Sequence, residues 1–212
     1  MATLPSYFGQ ALSNIEPTTD AENAKKAHED VRSVLAASRV LTDLGIDPIL
    51  IGSYARSVSI RRVKDVDLFA RLNLADGNLL PSAAMDKVQT ALLAVYDENR
   101  LTRQDRSFMV SFPDYGLSVD VVAARPCGDH LEIPKKTAQN LRGSWLETNP
   151  LKLSDLTKEM NANYKLNDRG VYVPTVKLMR QVKRVAGVEQ PGGFFFEILT
   201  YWFFQEEQPN AT

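Results

Sequence analysis

The chain is poor in the residues that build covalent or soft-metal centres. Cys127 is the single cysteine among 212 residues. An intrachain disulfide and a cysteine-built metal site are therefore excluded. Histidine is almost as scarce: His28 and His130 are the two present, and neither has a second His or Cys at ligand spacing. Both read as ordinary surface residues. Neither sign of charge is in excess, with 25 basic and 26 acidic side chains and a formal net charge of -1. That balance supplies no global field to hold a phosphodiester backbone, so there is no strong nucleic-acid signature. Long apolar runs are missing too. A membrane span needs roughly 18 to 20 apolar residues, and the longest run, 194–204, is interrupted by Glu197 and Thr200. The first ten residues lack the basic start and apolar stretch of a secretory signal. The expectation is a cytoplasmic protein with no membrane partner.

What is present is an ordinary globular composition, 44% hydrophobic and 24% charged, in a chain long enough for a sizeable core. Residues 6–15 and 18–41 have helical periodicity. The second opens Thr-Thr-Asp-Ala-Glu, an N-cap followed by acids in the first turn. Short strands are expected at 49–51 and 66–72, a helix at 83–96, and a β-hairpin over 107–112 and 116–123 around Pro113-Asp114-Tyr115. Residues 131–133 suit an edge strand. From about Pro150 the pattern is helical at 151–166, 173–186 and 194–204. The fold class is α+β: a small mixed β-sheet core with a long N-terminal helix and a C-terminal helical subdomain. The domains are expected at 1–150 and 151–212.

The chemistry is concentrated between Ile49 and Arg71. Asp65 and Asp67 stand two apart at the start of a strand, so their side chains share one face, while Val66 and Leu68 point to the other. Carboxylates held side by side repel unless a cation lies between them. Hard divalent cations accept carboxylate and phosphate oxygens. Asp120, in Leu117-Ser-Val-Asp-Val-Val-Ala, is a third acid amid β-branched residues, where an unpartnered aspartate is costly. If its strand pairs with that of Val66, three carboxylates converge on a metal site. About a dozen residues earlier, Gly52-Ser53 follows an apolar strand and opens a short helix at Tyr54. Glycine permits close backbone approach, and amides with the Ser53 hydroxyl favour an anion. A phosphate grip beside a metal grip is what phosphoryl transfer requires.

Gly52-Ser53, Asp65-Val66-Asp67 and Asp120 resemble the hallmark of the polymerase-beta-like nucleotidyltransferase superfamily. The long helix before the turn is similar to that of one branch, the bacterial cyclic-oligonucleotide synthases related to oligoadenylate and cyclic GMP-AMP synthases. So are Ser118-Val-Asp-Val-Val122, the segments 145–150 and 176–183, and Glu197-Ile-Leu-Thr-Tyr201. The resemblance implies nucleoside triphosphate substrates and Mg2+ or Mn2+ on Asp65, Asp67 and Asp120. It also implies a triphosphate held by Gly52 and Ser53 and by a basic residue of the later helix. Lys177, Arg180 and Lys183 are the candidates for that last role, with Arg180 the closest fit. It further implies an oligonucleotide product that acts on a downstream effector in antiphage defence. Three departures stand out. Ser57-Val58 replaces the usual Gly-Thr, Gly193 falls where a serine is common, and members carry more helices after Tyr201. A domain of a longer protein is one reading of the last. Nucleotidyl transfer to tRNA, an antibiotic or a protein keeps the same residues, and a silent nucleotide sensor is the alternative of another class. Arg56 has two readings, substrate contact or carboxylate pairing. Arg61, Arg62 and Lys64 meet phosphate or solvent. Cys127 reads as a bystander, and Phe194 to Phe196, Tyr201 and Trp202 as core.

Overall fold

The computed structural model of the protein describes residues 4–75, 78–135 and 144–207. The chain forms two compact units, each assembled from separated segments. One is Ala21–Gly52 with Lys64–Pro150; the other is Met1–Asp20, Ser53–Val63 and Leu151–Thr212. The first holds the sheet and the second is mainly helical.

Near the N-terminus, α1 is Leu4–Ile15, α2 Thr19–Ala37 and α3 Arg39–Thr42. The single helix expected over 18–41 breaks at Ser38, whose backbone is extended (φ -74°, ψ 118°). The strands follow: β1 Ile46–Ile51, the short α4 Gly52–Ala55, then β2 Asp65–Leu72. Helix α5, Pro81–Leu93, has proline in its first turn, where a missing N–H costs nothing. Strands β3 Leu101–Arg103, β4 Phe108–Phe112 and β5 Leu117–Cys127 complete the central sheet. Strands β6 His130–Pro134 and β7 Trp145–Thr148 extend it.

The central order is β1-β2-β5-β4-β3, with β6 on the far half of β5 and β7 on β6. β2 and β5 run parallel and the other pairs antiparallel. The segment expected as an edge, 131–133, is therefore an interior strand. β5 is eleven residues long, and its second half offers backbone groups that β6 pairs with. One face of the central strands is apolar: Val66, Leu68, Ala70 and Leu72 of β2, Val119, Val121 and Ala123 of β5, and Phe108 and Val110 of β4 are all buried. Helix α5 packs on β5. The opposite face carries Ile51, Phe69, Ala124, Leu131 and Ile133 as a second apolar cluster at one end.

In the helical unit, α6 is Pro150–Asn163, α7 Tyr172–Val185 and α8 Gly193–Glu207. Between α6 and α7 lies a small hairpin, β8 Lys165–Leu166 and β9 Arg169–Gly170. The helix expected through 166 stops at Asn163. Asn167 and Asp168 take positive φ (49° and 63°), the conformation of a tight two-residue hairpin turn. Gly170 crosses α6 so closely that a Cβ would lie 2.3 Å from the Asn161 amide nitrogen. The core of this unit is Val58, Met160, Tyr172, Val176 and Phe204. Phe204 sets its ring edge-to-face on Tyr164 and Tyr172, centroids 5.1 and 5.4 Å apart. Helix α8 meets the core expectation only in part: Phe204 is buried, Tyr201 packs against the core cluster and Phe196 is half-buried, but other apolar residues face outward. Phe195, Leu199 and Trp202 are 51%, 46% and 65% exposed, as are Phe194 and Phe203 in similar degree, while Glu197 and Thr200 are buried. Among the described residues no helix is long and apolar enough to cross a membrane.

Candidate active site

The three aspartates lie on the sheet face opposite its main apolar face. Alternation along β2 puts Asp65 and Asp67 on that side, and parallel pairing with β5 sets Asp67 directly against Asp120 and Asp65 against Ser118. The expected pairing of these two strands is what the structure has. Asp65, at the strand's start, is exposed; Asp67 and Asp120 are half-buried. Burial first, and then the charge of Asp65, raise the Asp120 carboxyl above its ordinary value. The Oδ1 of Asp120 is buried and accepts no hydrogen bond.

Gly52 adjoins these acids. It closes β1, whose Ile51 stands opposite Asp67 in the antiparallel pair. Its φ is 77°, and a Cβ there would lie 1.9 Å from Asp67 Oδ2. A side chain is thus excluded twice, by conformation and by the carboxylate. Aspartate pairs normally avoid such crowding. Here the Gly52 backbone meets the Asp67 carboxylate, and Asp120, in register with Asp67, keeps one buried oxygen unsatisfied. Oxygen-only donors with an orphaned member suit a hard divalent cation. The side chains nevertheless stand short of a ready cage: among the described residues no group of three His, Cys, Asp or Glu is arranged to hold a metal ion.

Ser53 opens the helical unit. Its carbonyl accepts the Val58 amide (3.0 Å), the Tyr54 carbonyl accepts that of Ser57 (3.0 Å), and its hydroxyl meets the Ser59 hydroxyl at 3.1 Å. Arg56, for which two readings stood open, pairs with a carboxylate. Its Nε and one terminal nitrogen donate to the two oxygens of Glu197 at 2.6 and 2.9 Å. Both side chains are buried, and the Glu197 carbonyl accepts the Tyr172 hydroxyl at 3.3 Å. Breaking one partner of such a pair costs about 3–5 kcal/mol. Sequence reading missed Glu197, although a lone acid inside the apolar run 194–204 was a signal that something cationic faces it.

The basic residues of α7 divide. Lys177 is buried, and its ammonium donates to both Glu16 oxygens at 2.7 Å. As it stands, its charge is spent within the helical unit. Arg180 lies against Gly193, its guanidinium carbon 3.1 Å from where a Cβ on that glycine would sit. The space a serine would use there is filled by Arg180. Lys183 reaches the Glu189 carbonyl at 2.9 Å. Arg61, Arg62 and Lys64 are exposed. His130 keeps a half-buried place beside Asp129, but His28 is buried in α2, contrary to its surface reading, because the helix turns it to the face of Ala24, Ala27, Val31 and Leu35.

Comparison with known proteins identifies a family and a shared fold. The family described as SMODS, the Second Messenger Oligonucleotide or Dinucleotide Synthetase domain, matches residues 1–161. Among solved structures, E. coli MS115-1 CdnC in its complex with HORMA-deltaN superposes with a TM-score of 0.68 at 20% identity, over 94% of this chain and 63% of that one. The STING-associated CdnE c-di-GMP synthase from Capnocytophaga granulosa gives 0.72 at 15% identity, over 98% and 66%. Escherichia coli DncV with 3'-deoxy GTP gives 0.70 at 11% identity, over 94% and 71%. These likenesses establish a shared fold, and this chain spans about two thirds of the length of those proteins. No curated protein matches.

Proposed function

Since the chain belongs to the second messenger oligonucleotide or dinucleotide synthetase domain family, we propose that it is a metal-dependent nucleotidyltransferase joining nucleotides from nucleoside triphosphates. The product in this reading is a cyclic or linear oligonucleotide messenger that acts on a downstream effector in cytoplasmic antiphage defence. The observation that carries the proposal is the in-register pairing of Asp67 with Asp120, where one buried Asp120 oxygen has no hydrogen-bond partner.

The residues would work as follows. Ser53 and the neighbouring amides hold the β- and γ-phosphates, with Arg180 as the cationic contact. Lys177 joins only by giving up Glu16. Asp65, Asp67 and Asp120 hold Mg2+ or Mn2+, which when bound neutralises phosphate charge and makes the acceptor hydroxyl more acidic. Asp120 takes the proton of the incoming ribose hydroxyl as general base. The hydroxyl oxygen bonds to the α-phosphorus, the bond from that phosphorus to the bridging oxygen breaks, and pyrophosphate leaves. Repetition on a second nucleotide lengthens the product or closes a ring.

The test is direct. Incubated with the four ribonucleoside triphosphates and Mg2+ or Mn2+, the chain should release pyrophosphate and an oligonucleotide identifiable by mass spectrometry. Asp65→Ala or Asp67→Ala should lower turnover on the order of 10³-fold, comparable to losing a key electrostatic stabiliser, with the circular dichroism unchanged. Full turnover in either variant would overturn the assignment. The Lys177–Glu16 pair favours a silent nucleotide sensor as the second reading. Triphosphate binding without product would select it.

A further inference from the structure

We propose that the buried Arg56–Glu197 pair is a positioning device for the phosphate-gripping turn, through which α8 holds residues 53–59 in the shape that receives a triphosphate. The inference rests on the reading of Ser53 and its amides as that grip.

The turn has little to hold it from within. Helix α4 is four residues long, too short to be stable by its own hydrogen bonds. Ser57 follows with a φ of 60°, a region that side-chain-bearing residues adopt only when their surroundings impose it. Two amide bonds and the Ser53–Ser59 hydroxyl contact close the loop. Two anchors then tie it to the helices. Val58 is fully buried in the Tyr172, Val176 and Phe204 cluster. That contact is apolar and has no preferred direction. Arg56 supplies direction. Its two nitrogens meet the two Glu197 oxygens as a fork (2.6 and 2.9 Å), which fixes the plane of the guanidinium as well as its distance. Arg56 is three residues from Ser53 and three from Ser59, so its orientation sets both ends of the hydroxyl contact.

The far end of the fork is rigid. Glu197 is 0% exposed, and its carbonyl receives the Tyr172 hydroxyl from α7. A charged pair is not required for stability in such a place, since apolar side chains of equal volume commonly serve as well or better. What an apolar pair cannot supply is a fixed orientation. Two charges sequestered between elements 141 residues apart are thus explained by alignment of the turn.

The experiment separates alignment from bulk stability. The double variant Arg56→Met/Glu197→Met fills the same volume without charge. Its melting temperature should stay within a few degrees of wild type. Its Kd for Mg·ATP, measured by isothermal calorimetry, should rise at least tenfold, and amide exchange at residues 53–59 should quicken. Mn2+ binding without nucleotide, followed by electron paramagnetic resonance, should not change. Arg56→Lys keeps the charge and loses the fork, and should weaken Mg·ATP several-fold at unchanged melting temperature. A folded double variant that binds Mg·ATP like wild type overturns the positioning role and leaves the nucleotidyltransferase reading intact. Wild type that binds none of the four ribonucleoside triphosphates with Mg2+ overturns both. If the double variant does not fold, Arg56→Lys decides: a wild-type Kd there overturns the proposal.

Discussion

Asp120 carries the clearest local contradiction in the molecule, a buried carboxylate oxygen with nothing donating to it, beside a second aspartate in register. Burial first, and then the charge of Asp65, oppose ionisation. A bound divalent cation removes both penalties at once. Mg2+ at millimolar concentration should therefore raise the melting temperature of wild type by mass action. Asp120→Asn should lose that rise and, in chelator at neutral pH, melt a few degrees above wild type. An equal Mg2+ shift in both proteins would remove Asp120 from the metal site. The two acids of β2 and the third of β5 were legible because strand alternation has a period of two, so spacing alone assigns a face. The crowding of Gly52 on Asp67 was not legible, since it depends on how β1 lies on β2. Nor were the partners of Arg56 and Lys177. Each is paired with an acid more than a hundred positions away, and no local pattern encodes such a distance.

Elements were recovered where periodicity is local and lost where a neighbour decides. Helix α2 was plain from its stripe, yet its His28 was read as exposed because a single polar residue does not reveal which side of the stripe it occupies. Buried there, the imidazole is held below 6.5, chiefly by desolvation, against the raising effect of Glu29 and with Arg32 and Lys25 adding to the lowering. Folding favours its neutral form. The resulting stability is complete above pH 6.5 and falls as pH drops through 6.5 toward the folded value. Wild type should lose a few degrees of melting temperature between pH 7.5 and 5.5, and His28→Leu should show a smaller loss. Identical pH slopes would place the titration elsewhere. Helix α8 shows the opposite failure. Its apolar run suggested core, but the face it packs receives Arg56 on Glu197 and also buries Thr200, whose hydroxyl donates to the Phe196 carbonyl. Phe194, Phe195, Trp202 and Phe203 are left outward. The β8–β9 hairpin was hidden inside a helical pattern, although Asn167-Asp168 is a turn pair whose positive φ stops a helix.

At the scale of the whole chain, a net charge of -1 supplies no global field to grip duplex DNA. In a mobility shift at physiological salt, duplex DNA should not be retained at low micromolar protein, while nucleoside triphosphate still raises the melting temperature. Tight duplex binding would call for a basic face that composition conceals. Each compact unit draws on segments far apart in sequence.

Amino-acid order by itself determined the alternating strand that aims Asp65 and Asp67 to one side, the glycine that ends β1, and the apolar stripes that make an α+β fold. These are short-range matters, settled by backbone geometry and the periods of 2 and 3.6. Only the folded structure decided that Asp120 stands in register with Asp67, that Lys177 is taken by Glu16, and that Arg56 is locked to Glu197. Those outcomes come from strand register and helix packing, which are sums of many weak contacts among distant residues.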